Sequence, residues 1–338
     1  MLIVTSPRFE EHTTPPGHPE RPERACVFDT VARSWGQTGG RTAAPRPATR
    51  EELLRVHSDA HVDALAQLAG RAVALDADTF TSPESHEIAL LAAGAAVQAA
   101  DHALDTRETA VALVRPPGHH AERDRPMGFC LFNNVAIAAA AALARGLSRV
   151  AIVDIDVHHG NGTQWMFYDD PRVLYVSTHQ FPFYPGTGAA DEIGTGPGRH
   201  FTVNVPLEAG ATDADYVYSY AAVKAVLEQF VPELLLISAG FDAHENDPLA
   251  SMRVTTDGYT DVMRILRLAA EGGTVRCPIA VVTEGGYDLE ALRACTESAV
   301  EVLSAAAVPD VTPRTSHPRA DRAWEAVRAA HHGFWRGI

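Results

Sequence analysis

The chain has 338 residues, 46% of them hydrophobic, and a formal net charge of −15 at pH 7. That is enough chain for one large α/β domain with a sizeable core, and it is too acidic for bulk attraction to nucleic acid or an anionic membrane; cationic substrates suit it better. The four cysteines, Cys26, Cys130, Cys277 and Cys295, are scattered with no CxxC pair, which fits a reduced cytoplasmic protein rather than a disulfide scaffold.

Residues 1–7 lack the basic segment and apolar run of a signal peptide, and the most apolar helical stretch, 88–97, is far shorter than the ~20 residues a membrane span needs. Lys224 is the only lysine and alanine is abundant, a bias that points to a GC-rich bacterial genome. In chain order, short apolar runs predict strands at 2–5, 110–114, 150–155, 173–177, 201–205, 234–238 and 279–283. Helical patterns lie between them, among them 83–104, 134–145, 213–230 and 256–271, the second with a polar N-cap at Asn133. Two Gly/Pro-rich stretches, 6–24 and 36–47, read as long loops that shape a rim or an oligomer contact. Residues 309–319 read as an irregular tether before a short amphipathic helix, 320–331. The alternation predicts an α/β fold: a single open, mostly parallel sheet with helices on both faces, in one domain spanning 1–338 whose helical C-terminal extension covers about 309–338.

In open α/β sheets ligands bind beyond the carboxyl ends of the strands. Four such ends carry chemistry. After 150–155 the chain reads Asp154-Ile-Asp156-Val-His158-His159-Gly-Asn161. Alternation turns Asp154, Asp156 and His158 one way and Ile155 and Val157 into packing. Carboxylates and an imidazole converging at a strand end are costly unless a cation sits between them. Mixed His and carboxylate donors suit zinc, and also ferrous iron. A third ligand is expected from another strand end, and Asp242, after the buried run 234–238 and a small-residue turn, supplies it.

After 110–114 comes Arg115-Pro-Pro-Gly-His119-His120, two histidines in a rigid loop, suited to general acid and base work. Each needs a partner on its other nitrogen. Asp154 is free to orient one and Asn161 is placed to orient the other, so the two should differ in basicity. After 279–283 comes Glu284-Gly-Gly286-Tyr287, which leaves a phenol able to donate to a developing oxyanion.

Together with Gly128-Phe129-Cys-Leu-Phe-Asn-Asn, Tyr184-Pro-Gly-Thr-Gly and His18-Pro-Glu-Arg-Pro-Glu-Arg, these segments resemble the histone deacetylase family over about residues 5–292. The pattern is nearer the class II and bacterial histone deacetylase-like amidohydrolases than class I, because Asn161 stands where class I carries Asp. The resemblance implies the arginase/deacetylase fold, and zinc on Asp156, His158 and Asp242. It implies His120 as general base and acid, His119 as its electrostatic partner paired to Asp154, and Tyr287 as the carbonyl polariser. It also implies structural potassium: one ion at Asp154, Asp156, His158, Ser177 and Thr178, a second at Phe167, Asp170 and Val173. The substrate tunnel would be walled by Gly128, Phe129, Gly286 and Tyr184, the last in place of the family's usual second Phe.

The acetylpolyamine deacetylases of the family carry a glutamate seven residues after the zinc Asp. Here Leu249 stands there, which favours a neutral-stemmed amide such as acyl-lysine, although Glu245, Glu122 and the overall acidity keep a small cationic metabolite such as an acetylpolyamine in view. A two-manganese ureohydrolase of the same fold would need more carboxylates; His244 stands two residues after Asp242. A non-enzymatic acyl-binding protein would be expected to lack part of this set.

Overall fold

The computed structural model describes residues 1–272, 276–312 and 317–338. The strands are β1 (Leu2–Val4), β2 (Arg41–Ala43), β3 (Val73–Ala74), β4 (Phe80–Thr81), β5 (Ala110–Ala112), β6 (Val150–Asp154), β7 (Val173–Gln180), β8 (Thr202–Leu207), β9 (Leu234–Ala239) and β10 (Ile279–Thr283). The helices are α1 (Glu23–Gln37), α2 (Arg50–Leu54), α3 (Asp59–Ala66), α4 (Ser85–Thr106), α5 (Asn134–Ala144), α6 (Asn161–Met166), α7 (Asp213–Phe230), α8 (Thr256–Glu271), α9 (Leu289–Ser304) and α10 (Pro318–His331). Eight strands form one parallel sheet in the order β2-β1-β5-β10-β9-β6-β7-β8; β3 and β4 make a separate antiparallel ribbon.

The two-residue period of each strand sorts its side chains into two cores. Ile3, Ala151, Val153, Leu235, Ile237, Ile279 and Val281 face the side covered by α1, α7, α8 and α9. Leu2, Val4, Val150, Ile152, Leu234, Leu236, Ala280 and Val282 face α4 and α5. Both faces are therefore dry, as continuous apolar strands require. Asn133 caps α5 through a bond that its side chain accepts from Ala136 N at 3.0 Å. The predicted strand set is present, with β7 running on to Gln180.

Two expectations need correction. The stretch 36–47 holds a strand, β2, which escaped notice because Arg41-Thr-Ala is a three-residue edge segment with no apolar alternation. The stretch 6–24 is not all loop: a 3-10 turn, Pro7–Glu11, packs Phe9 inside, and α1 starts at Glu23. The predicted tether 309–319 falls partly on 313–316, outside the described residues; α10 starts two residues early, with Pro318 at its first turn, and packs against β8 and α7.

The order of strands decides where the chemistry lands. β5, β10, β9 and β6 are neighbours at the middle of the sheet, so their four carboxyl ends open into one cleft. Among the described residues no helix is long and apolar enough to cross a membrane.

Candidate active site

At the end of β6 the chain leaves the sheet. Asp154 Oδ1 accepts from Asp156 N at 3.2 Å and Asp156 Oδ1 accepts from His158 N at 2.8 Å, so two side-chain turns, rather than a continued strand, carry the donors forward. Ile155 and Val157 still enter the core, as alternation predicts. Asp156, His158 and Asp242 are all buried, and their donor atoms lie within 4.8 Å of one another. His158 Nδ1 stands 3.1 Å from Asp156 Oδ1 and 3.2 Å from Asp242 Oδ2. The other oxygen of each carboxylate is held by backbone: Asp156 Oδ2 by Gly285 N at 2.8 Å and Asp242 Oδ1 by Val157 N at 2.9 Å. A Cβ at Gly285 would sit 2.1 Å from Asp242 Oδ2, and one at Gly240 would sit 2.0 Å from Asp156 Oδ2. Only glycine lets both strand ends approach that closely.

The electrostatics suit a bound cation. Burial, and then the facing carboxylate of Asp156, push Asp242 up to about 7. Burial opposes charge on His158, but the two carboxylates outweigh it and raise the imidazole to about 10. Three acid-base groups at odds in a dry site are what a divalent ion resolves, and the donor set fits one. His244 lies apart from the cluster: Nδ1 accepts from Asn246 N at 3.2 Å and Nε2 lies 3.3 Å from Thr256 Oγ1.

The tandem histidines divide as the sequence suggests. His119 Nδ1 lies 3.0 Å from Asp154 Oδ2, which also accepts from the Tyr175 hydroxyl at 3.2 Å. Burial disfavours its charged form, yet Asp156 and Asp154 together raise it to about 10. His120 Nδ1 lies 2.8 Å from Asn161 Oδ1; burial and the neighbouring His119 hold it well below the ordinary 6.5. The two rings are 4.0 Å apart. Beneath them Glu284, raised to about 7 chiefly by burial, accepts from Gly118 N at 2.6 Å, His119 N at 3.1 Å and Ser238 Oγ at 2.8 Å.

Tyr287 stands at the far wall. Its backbone N–H donates to Asp247 Oδ2 at 2.6 Å, while its hydroxyl takes no hydrogen bond among the described residues. Arg24 packs over its ring at 5.0 Å and donates to the Gly286 carbonyl at 2.8 Å. Arg24 and Arg115 share the fully buried Glu20, at 3.0 Å and 2.8 Å. The N-terminal loop is thus bolted beneath the Gly-Gly-Tyr turn.

Phe129 meets Tyr287 edge-on at 5.7 Å, and Tyr184 meets His120 edge-on at 5.2 Å. Gly128 approaches His120 so closely that a Cβ would sit 2.5 Å from the ring. Leu249 and Tyr287 line a cavity of about 530 Å³ bounded by the N-terminal loop around His18. Phe183, which sequence reasoning missed, stacks on His158 at 5.4 Å; its only signal was an extra aromatic beside Tyr184. Glu122, seen in sequence only as a nearby charge, touches Asn161 Nδ2 at 2.8 Å.

The expected potassium residues are only partly grouped. Ser177 is the register partner of Asp154 on β7 and Thr178 follows it, but Ser177 Oγ lies 2.9 Å from His179 Nδ1 and Thr178 Oγ1 lies 2.6 Å from the Tyr220 hydroxyl. In the second set Phe167, Asp170 and Val173 are linked through backbone, and the Asp170 carboxylate is tied to Arg172 at 2.6 Å.

A parallel sheet that gathers two carboxylates, three imidazoles and a phenol at adjacent strand ends is the architecture of a hydrolase cleft. A histone deacetylase domain model matches residues 18–303. The chain is 41% identical over 293 residues to a probable deacetylase of Archaeoglobus fulgidus, covering 85% of this chain and 81% of that one. It is 40% identical over 301 residues to a histone deacetylase-like amidohydrolase of Pseudomonas aeruginosa, covering 85% and 77%. Against histone deacetylase 15 of Arabidopsis thaliana it is 40% identical over 304 residues, which span 87% of this chain and 54% of that protein. The solved structure of the HDA15 HD domain superposes with a TM-score of 0.89 at 36% identity, covering 99% of this chain and 97% of that one. The chain belongs to the histone deacetylase family.

Proposed function

We propose that the whole chain forms one deacetylase domain that hydrolyses an N-acetyl amide on a lysine-like amine, releasing acetate and the free amine. The observation that carries this reading is the Asp156–His158–Asp242 cluster, with the His120 ring 5.9 Å from that of His158 and Tyr287 two residues beyond Gly285, whose N–H holds Asp156 from the neighbouring strand end. The three donors would hold zinc, or ferrous iron, whose chemistry is to polarise a carbonyl and make water acidic enough to be activated near neutral pH. His120 takes the proton of the attacking water at Nε2. His119, kept cationic by Asp154, stabilises the negative charge that develops, and His120 or His119 returns a proton to the leaving amine. Tyr287 donates its hydroxyl to the oxyanion, an interaction worth ~10²–10³ in rate where single donors have been removed from other enzymes. Phe129 and Tyr184 flank the methylene stem, with Gly128, Gly286 and Leu249 giving it room. Two structural potassium ions, on Asp154, Asp156, His158, Ser177 and Thr178 and on Phe167, Asp170 and Val173, belong to the same reading; the test is turnover in KCl against NaCl, with higher activity expected in KCl and equal activity counting against the ions.

One observation favours a cationic small molecule as the substrate instead. Asp78 sits at the mouth: its backbone carbonyl lies 2.9 Å from His18 Nε2, His18 packs on Phe129 at 4.7 Å, and the Asp78 carboxylate is near enough to Tyr184 to add to burial in raising that phenol. The deciding experiment is kcat/KM of the zinc-loaded protein on an acetyl-lysine peptide and on N-acetylputrescine. Preference for the peptide supports a lysine deacetylase read by Leu249. Preference for the polyamine replaces that reading with small-molecule metabolism and makes Asp78 the amine reader.

A further inference from the structure

His120 can accept a proton at Nε2 only if its own proton sits on Nδ1. The neighbour of Nδ1 decides that, and here the neighbour is an amide, which can present either of two ends. With Oδ1 turned to the ring, Asn161 demands an N–H on Nδ1 and leaves Nε2 free. With Nδ2 turned to the ring, it demands a lone pair on Nδ1 and puts the proton on Nε2, the wrong tautomer for a base. Nothing in Asn161 itself chooses between them.

The other side of the amide makes the choice. Asn161 Nδ2 lies 2.8 Å from Glu122 Oε1 and 3.4 Å from Met127 Sδ. A carboxylate and a thioether are acceptors only. Reversing the amide would set Oδ1 against the Glu122 carboxylate with no hydrogen between them, so the nitrogen must face Glu122 and the oxygen must face His120. The orientation follows from this chemistry and not from how the amide atoms are named.

Glu122 is itself held in place. Its second oxygen accepts from Arg125 Nη2 at 3.1 Å and its backbone N–H donates to the Arg125 carbonyl at 2.9 Å. Its carbonyl lies 3.0 Å from His57 Nδ1. His57 Nε2 accepts from Asn133 N at 2.9 Å, so the proton of His57 is on Nδ1 and is donated to Glu122. The turn that carries the carboxylate is therefore anchored to the α2–α3 junction and to the cap of α5.

We propose that Glu122 is a positioning residue for proton transfer: it fixes the amide of Asn161, and through it the Nδ1–H tautomer of His120. The inference rests on the role given to His120 above. Glu122 touches neither the substrate path nor the metal donors; it acts at one remove.

The test is a pair of substitutions made in two backgrounds, with turnover of an acetyl-lysine peptide by the zinc-loaded protein as the readout. Glu122→Ala should lower kcat by about 10- to 100-fold, the usual range for losing a partner that orients a site imidazole, and leave KM unchanged. In the Asn161→Asp background the same substitution should cost nothing or raise kcat. A carboxylate at 161 can only accept from His120, so it needs no orienting group, and Glu122 becomes an unwelcome like charge. This loss or reversal of the effect is beyond a residue that merely supports the fold. Imidazole nitrogen NMR of His120 supplies a second readout, with the Nδ1–H form dominant in the parent and a mixture of the two tautomers on Glu122→Ala. The same fold loss in both backgrounds, or a change confined to KM, overturns the proposal. Full turnover by His120→Ala instead removes the base assignment, a separate failure that this control identifies.

Discussion

At the floor of the cleft, Asp156, Asp242 and His119 are buried, and each is fixed by backbone or by another buried side chain: Gly285 N, Val157 N and Asp154 respectively. At the mouth, Tyr184 is 37% exposed and Phe129 and Leu249 are half-buried on loops. The floor is strand ends from four adjacent strands; the mouth is the loops 14–23, 127–130, 181–188 and 245–249. The difference teaches a division of labour. On the proposed reading, bond-breaking geometry is set where the backbone cannot move, and the choice of acyl-amine is left to segments that can change without disturbing it.

That division can be broken most severely at the floor. Asp242→Ala removes one of three donors and one of the two carboxylates facing His158; we expect activity to fall by more than about 10³-fold, with metal content measured by elemental analysis falling in step. Tyr287→Phe keeps the ring against Phe129 and Arg24 but deletes the donor. It should lower kcat by about 10²–10³-fold, with affinity for a substrate-like inhibitor nearly unchanged. Unaltered turnover would refute the role given to Tyr287.

Between floor and mouth lies the Glu20–Arg24–Arg115 group, wholly buried. Glu20→Gln leaves two buried guanidiniums without their carboxylate and should cost about 3–5 kcal/mol, read by urea unfolding. Burial opposes the Glu20 charge, but Arg115 first, then His12 and Arg24, hold its carboxyl well below the ordinary 4.5. Its stabilising effect is therefore present above 4.5 and is lost as pH falls further toward the folded value. The stability gap between parent and Glu20→Gln should shrink below pH 4.5 and stay flat above it. The smallest effect is expected at the mouth: Leu249→Glu should shift the ratio of polyamine to peptide kcat/KM by about 10-fold and leave chemistry on either substrate intact.

Much of the floor was legible in the chain. Asp156, His158, Asp242, His119, His120 and Tyr287 each follow a buried apolar run, and strand ends are where open sheets place ligands. That Asp154 and Asn161 would each orient one of the two histidines also follows from one segment, because both lie within a few residues of the donors; the assignment of His119 to Asp154 came from the family resemblance. What escaped were features set by side chains meeting across loops. Phe183 under His158 and Glu122 behind Asn161 come from segments with no periodic signal, and β2 is an edge strand too short and polar to show one. The side-chain turns that end β6 at Asp154 were likewise hidden, because Asp-x-Asp-x-His reads equally well as strand alternation or as successive aspartate turns.

The central claim is a single metal-dependent deacetylase centre, and the most direct test is to strip the protein with a chelator and titrate zinc back while following acetate release from an acetyl-lysine peptide. The account predicts no release without metal and full recovery at one equivalent per chain. Recovery only with manganese at two equivalents, or release that ignores the metal altogether, would contradict it.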